Sequence, residues 1–415
     1  MNRITLPLVC FISVAFIMLA TAFTISRPEF RIALSGTDFR GQYTGLFMIK
    51  NDITKNLYGI NEQYQWQKKF LPELTRDQLM VFSYHPLVAL LLSPLGHLSF
   101  GNAYRVAIVI NFVLLLWLLR ICGSILDPIN TDRTNNVLLS AFAFFPPVWF
   151  ALLQNQFSFI LFILYFFVWK SLKERKFTKA GLLLSLFVIK PHMLLVILAV
   201  FVLVKQIGVI KGFIIGLTIS STVTVLLFGV DGVMQYVNFL ALLSRAGDSY
   251  TIHTAAEPTI KGAMHWIAQT DRLPIWMSGL YLAIFAGFIL RLTILKRYAD
   301  RARERYDVWF GAIILATLLT SPHTNYHDLT LILFSLVLIV RYGLKGIAPR
   351  LLNLPKTKKF TWYMSWFGIC ILCVGWVFYP PIAVVCIVLL YAQSDYLVRT
   401  GRLYPFTKRS IPKRK

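Results

Sequence analysis

Apolar residues run through this chain in long uncharged blocks cut by short polar breakers, the spacing of membrane-spanning helices. A helix needs roughly 20 apolar residues to cross a bilayer. Reading the runs against their breakers predicts twelve spans, near residues 4–25, 102–122, 135–153, 157–171, 178–190, 192–205, 210–229, 274–295, 307–320, 327–342, 361–378 and 380–397. Several runs are short, and Pro191 and Pro381 mark sharp turns between paired helices. Residues 86–98 are apolar but short and hold Pro94, so they read as a helix lying at or dipping into the membrane surface. The expected fold class is an all-α polytopic membrane protein.

Lys and Arg in the connections give the orientation. Residues 170–176, 205–211, 296–305, 341–359 and 399–415 are basic. The alternate connections Gln154-Asn155-Gln156, 321–326 and Tyr379-Pro380 hold no Lys or Arg. Basic loops lie inside, so both termini are expected in the cytoplasm. Counting 86–98 as a span would put every later basic loop outside, which argues against it. The chain reads as one transmembrane domain, 1–415. It has a long first extracytoplasmic loop at 26–101, a second at 230–273, and a basic cytoplasmic tail at 398–415. The stretch 42–57 is amphipathic and expected on the bilayer surface, with a small packed lobe as the alternative. Met1-Asn2-Arg3, the apolar run behind it and Ala20-Thr21-Ala22 resemble a secretory signal. The run reaches spanning length, so a retained first helix is expected.

Composition agrees. The chain is 57% apolar and 14% charged, with a mean hydropathy of +0.64, where soluble domains carry about 25% charged residues. The excess of 42 Lys and Arg over 18 Asp and Glu gives a formal charge of +24. That excess lies between apolar spans, which explains it by topology and leaves no case for nucleic acid. Cys10, Cys122, Cys370, Cys373 and Cys386 sit in or at the edge of apolar runs. They read as small buried residues, not as a disulfide framework or a zinc site.

The unusual polar clusters all fall on the outer side: 36–40, 83–86, 154–156, 190–192, 257–262 and 321–328. Ionisable groups at span ends are costly unless solvated or used, and their one-sidedness suggests one cavity. Asp38 is the acid closest to the end of the first helix. It could serve as general base toward a hydroxyl, or be a turn residue. Lys190 could snorkel to headgroups or, with His192, hold a substrate phosphate. His323 and His327 are four apart beside Asp328, but the glutamate of a zinc H-E-x-x-H is missing. Phosphate or hydroxyl contacts and a satisfied helix end remain open for them. Gln154-Asn155-Gln156 could cap a helix or contact a sugar, and His85 before Pro86 is equally ambiguous. No P-loop, dinucleotide fingerprint or nucleophile elbow occurs, and the cytoplasmic loops have no room for a soluble nucleotide-sugar domain.

Several ordered motifs carry a family resemblance from Asp38 to about Val340. Asp38, Phe39 and Tyr43 follow the first helix. Tyr84-His85-Pro86 runs into a Leu-rich segment, and Asn155-Gln156, Lys190-Pro191 and Ser321-Pro322 with His327 come after it. In these the chain resembles the polyprenol-phosphate-mannose-dependent transferases of glycosyltransferase family 87, within the GT-C membrane superfamily. It departs at Glu257-Pro258-Thr259, where the family usually has Asn-Gln-Ser.

The resemblance implies a GT-C fold of about twelve transmembrane helices, with surface helices on the long first outer loop. It implies a mannosyltransferase of cell-envelope glycans. A hexose, mannose by family, would pass from a polyprenyl-phosphate donor to a glycolipid or glycan acceptor with inversion. Asp38 would be the base, and Lys190, His192, His323 and His327 would bind the donor phosphate. Arg40, Tyr43, Tyr84, His85, Gln156 and Glu257 are the candidates for sugar or acceptor contact. One outer acid at the expected place and no carboxylate cluster lead to the expectation of no metal and no cofactor. The chief rival is a transporter or flippase of a lipid-linked or anionic substrate, which would be expected to show internal repeats and mid-membrane polar sites. A surface-polysaccharide polymerase or ligase would carry a large late outer loop instead.

Overall fold

The computed structural model describes residues 6–54, 56–126, 139–245, 254–270, 272–351 and 380–400. The predicted span 361–378, Cys370, Cys373 and most of the basic tail lie outside them. Among the described residues every regular element is a helix. In chain order they are α1 (Leu6–Ile25), α2 (Arg31–Ser35), α3 (Phe39–Lys50), α4 (Ile60–Phe70), α5 (Pro86–Leu92), α6 (Phe100–Leu126), α7 (Pro146–Leu153) and α8 (Ser158–Lys173). There follow α9 (Phe177–Ser185), α10 (Leu195–Leu203), α11 (Ile207–Arg245), α12 (Ile260–Ala268), α13 (Ile275–Ala299), α14 (Arg303–Thr320), α15 (Ile332–Leu351) and α16 (Pro380–Thr400).

By length and composition five described helices can cross a membrane, or six if the bent pair α7 and α8 forms one span. The protein is therefore a polytopic membrane protein. Several of the other predicted spans are short or broken among the described residues. Helices α7 and α8 meet at 117°. The apolar segments Phe177–Ile189 and Pro191–Leu203 are short, each about 20 Å at 1.5 Å per residue, less than the ~30 Å hydrocarbon core. Helix α11 runs past the predicted end at 229. It turns at Gly229, whose φ of 69° and ψ of 172° only glycine adopts readily.

Helix α14 forms the axis. From Asp307 to Thr320 every residue is buried, as an all-round apolar run requires. The bundle's outer helices carry the lipid-facing surface: Phe16 of α1 is 71% exposed, Leu226 of α11 79% and Ile275 of α13 93%. Apolar exposure on this scale needs lipid, not water. Helices α9 and α11 cross closely because Gly208, Gly212 and Gly216, spaced by four, lie against Phe177, Thr178 and Ser185. This is small-residue packing typical of membrane helices.

The segment between α1 and α6 folds as a packed lobe. Helix α3 is buried apart from Phe47 and Lys50, Arg40, Gln42 and Thr44 included, so residues 42–49 pack into the lobe where a bilayer-surface helix was expected. Polar side chains that read as water-facing are instead hydrogen-bonded inside the protein. Residues 86–98 do form a short helix followed by a 3-10 turn, Ser93–His97. Gly96 lets that turn approach the Leu46 carbonyl, which an added Cβ would meet at 2.6 Å.

Candidate active site

Asp38 stands at the start of α3, held from two directions by the turn between α7 and α8. Its backbone N–H donates to Gln154 Oε1 at 2.7 Å, and its carboxylate Oδ2 accepts from Gln156 Nε2 at 2.5 Å. Between these glutamines Asn155 adopts φ 53°, a left-handed conformation that Asn tolerates. Its carbonyl accepts from Gln42 Nε2 at 2.8 Å, and its amide donates to Gln42 Oε1 at 3.1 Å and accepts from Asn111 at 2.5 Å. Buried amides are costly unless paired. Satisfying all of them fixes the α7–α8 bend, α6 and α3 in one register.

Lys190 faces the other side of Asp38. It sits between two 3-10 turns with the extended backbone that a following Pro favours, φ −139° and ψ 80°. Its ammonium donates to Asp328 Oδ1 at 2.8 Å and lies 3.0 Å from His327 Nε2. An ammonium only donates, so His327 Nε2 accepts and its proton is assigned to Nδ1. That Nδ1 lies 3.9 Å from Asp38 Oδ2. Asp328 also accepts from Ser158 Oγ at 3.0 Å and from the Asn325 backbone N–H at 3.2 Å. Lys190 and Asp328 are a buried ion pair, 7% and 1% exposed. Breaking such a pair typically costs about 3–5 kcal/mol.

A second ionic pair borders the first. Glu257, just before α12, accepts from His323 Nδ1 at 2.5 Å. The His192 ring stands edge-on to His323 at 5.8 Å, and its buried Nε2 has no partner. Burial pushes the Asp38 carboxyl above the usual range, opposed by Lys190, by the Gln156 hydrogen bond and by His323. Burial works against charge on His323, but Glu257 outweighs it and raises its pKa. Arg40 is lowered to about 10 by burial.

Of the residues singled out in the sequence, Asp38, Lys190, His192, His323, His327, Gln156 and Glu257 gather here. Tyr84 joins them: its hydroxyl donates to Gln156 Oε1 at 3.3 Å. Gln156 is engaged as a holder of Asp38. Arg40, Tyr43 and His85 are occupied elsewhere. Arg40 donates to the Gln78 carbonyl at 2.5 Å, and Tyr43 to the Leu98 carbonyl at 2.6 Å inside an aromatic cluster with Phe39, Phe70 and Phe100. His85 Nδ1 accepts from the Leu87 N–H at 3.4 Å, and its ring stands edge-on to Tyr236. Sequence reasoning left Gln154 and Asn155 open between a helix cap and a sugar contact, and it passed over Asp328, Gln42 and Ser158 as site residues. The signal for Asp328 was present, an acid next to His327 at a span end. Among the described residues no three His, Cys, Asp or Glu side chains group as a metal site.

The centre therefore joins a part-buried carboxylate, able to take a proton, to a lysine and a histidine able to meet an anion. A family model for glycosyltransferase family 87 matches residues 82–322. No curated protein and no solved structure matches the chain. The matched interval holds Tyr84, Gln156, Lys190, His192 and Glu257. Asp38 precedes it, and His323, His327 and Asp328 follow it, so these join the centre by geometry. The match covers more than half of a chain whose helices are those of a membrane protein, and the chain thus belongs to glycosyltransferase family 87, as a membrane glycosyltransferase.

Proposed function

We propose that the protein moves a hexose, mannose by family, from a polyprenyl-phosphate carrier to a hydroxyl of a glycolipid or glycan acceptor, with inversion, at the extracytoplasmic face. A bundle of twelve spans with both termini cytoplasmic belongs to the same reading; its support is the segregation of Lys and Arg along the sequence. The observation that carries the chemistry is the approach of His327 to Asp38 at 3.9 Å, with Lys190 on the far side of that imidazole at 3.0 Å. Base and cations from distant parts of the chain then share one centre.

Asp38 takes the acceptor proton as the hydroxyl oxygen attacks the anomeric carbon. The bond from that carbon to the phosphate oxygen breaks, and its electron pair leaves with polyprenyl phosphate. The phosphate goes from a singly charged diester toward a doubly charged monoester, so cations around it favour the transition state over the ground state. Lys190 and His323 supply that charge and His192 a further donor. His327, lying between Lys190 and Asp38, is a further contact for the phosphate. A lipid carrier suits a site outside the cell, where nucleotide sugars are not supplied.

The test uses purified protein with polyprenyl-phosphate-mannose and a panel of lipid and glycan acceptors. Asp38→Asn is expected to lose transfer by about 10²–10⁴-fold, the usual worth of a general base. Equal turnover by Asp38→Asn would remove Asp38 from the base role.

A further inference from the structure

Glu257 is a buried carboxylate paired with a partly exposed imidazole, and it is not idle. It is 2% exposed, whereas the His323 side chain is 39% exposed. The carboxylate lies behind the imidazole, at 2.5 Å from Nδ1, and the ring's Nε2 edge is left for a ligand. The second oxygen, Oε2, is buried without a partner. We infer that Glu257 is a positioning residue for the transfer: it orients His323 through Nδ1–H and balances the imidazolium charge, so that Nε2–H meets the donor phosphate. The inference rests on the polyprenyl-phosphate reading above.

The groups facing His323 fit this assignment. Glu257 favours its charged form, and Asp328 does so more weakly. Burial works most strongly against it, and Lys190 adds to that. Asp38 interacts with it in the mutual sense, charge for charge. Lys261 of α12 is turned to the Pro322 carbonyl at 3.5 Å. Without Glu257, burial and Lys190 would drive His323 toward neutrality. A neutral imidazole would still hydrogen-bond to phosphate, but without the charge that strengthens the bond. The segment also has a firm base: the Thr259 side chain caps α12 by accepting from the Gly262 N–H at 2.9 Å.

The experiment follows His323 directly and through turnover. Ring-nitrogen chemical shifts of labelled histidine are titrated in wild type, Glu257→Gln and Glu257→Asp, and donor KM and kcat are measured across pH. In Glu257→Gln the His323 titration is expected to move to lower pH. Donor KM at neutral pH should rise about tenfold, the worth of one charge-assisted hydrogen bond, and fall back toward wild type as the medium is acidified. Glu257→Asp should recover part of the loss. On a His323→Gln background the Glu257→Gln change should add little, since the two act as a unit. An unmoved His323 titration, or the same Glu257→Gln loss without His323, would overturn the inference. A wild type that uses no polyprenyl-phosphate sugar would instead overturn the parent reading and the phosphate role with it. The titration, run without donor, would still report whether Glu257 holds His323.

Discussion

A carboxylate held half out of water is unfavourable for folding and useful for catalysis. Burial raises the Asp38 pKa above 3.8. A raised carboxyl contributes stability that is present at pH values below its unfolded pKa and lost as pH rises through the folded one. Asp38→Asn is therefore expected to keep or raise thermal stability near neutral pH while abolishing transfer; a large fall in melting temperature would speak for a structural residue instead. The same sign governs the rate. The base must be ionised, so activity should rise with pH along an acid limb above the ordinary carboxylate range. Gln156 favours the charged form through its hydrogen bond. Gln156→Leu should move that limb to higher pH, which a kcat/KM profile reads directly. An unshifted limb would detach Gln156 from Asp38. These residues stood out in the sequence because isolated polar groups at the ends of apolar runs have few other uses. The holding contacts did not: Gln154 and Asn155 were visible as possible caps or sugar contacts, and Gln42 not at all. Gln42, Gln154 and Asn155 are ordinary amides until residues more than a hundred positions apart are brought together.

Helices were legible wherever an apolar run was long. The runs at 102–122 and 274–295 appear as α6 and α13 with extended ends. Shorter runs carried less, because a segment of 13–16 apolar residues suits a buried helix, a half-span or a bent pair equally well. Helix α3 misled for another reason: the amphipathic pattern of 42–57 reads as a bilayer-surface segment, yet a long-range hydrogen bond satisfies Gln42 inside the lobe. Packing between elements rests on smaller features. Gly212 of α11 touches the Thr178 carbonyl of α9 so closely that any Cβ must displace backbone. Gly212→Leu is expected to force the two helices apart and destabilise the protein by about 1–3 kcal/mol, read as a lower thermal midpoint in detergent. Gly279→Leu serves as the control, since an added Cβ there meets nothing within 4 Å. Equal midpoints for the two variants would mean that the α9–α11 crossing is not tight.

The molecule as a whole is polarised along α14. That helix has 18 residues, about 27 Å of rise, close to the ~30 Å of a bilayer's apolar core. Its N-terminal end carries Asp307, paired with Lys173 at 2.6 Å, hydrogen-bonded to Trp169 at 3.0 Å and approached by Arg341 at 3.7 Å. Its C-terminal end leads into Ser321, His323 and then His327 of the candidate centre. The basic knot and the acid–histidine centre thus sit at opposite ends of one buried rod. The proposed orientation, argued from the positive-inside rule, would have the basic end in the cytoplasm and the reactive end outside. In a cysteine-free background of the full chain, Arg175→Cys and Arg272→Cys report the two ends, both positions being exposed. An impermeant maleimide applied to intact cells is expected to label Arg272→Cys at once and Arg175→Cys only after permeabilisation. The reverse order would place the centre among cytoplasmic nucleotide sugars, and the argument for a lipid-borne donor would lose its physical reason.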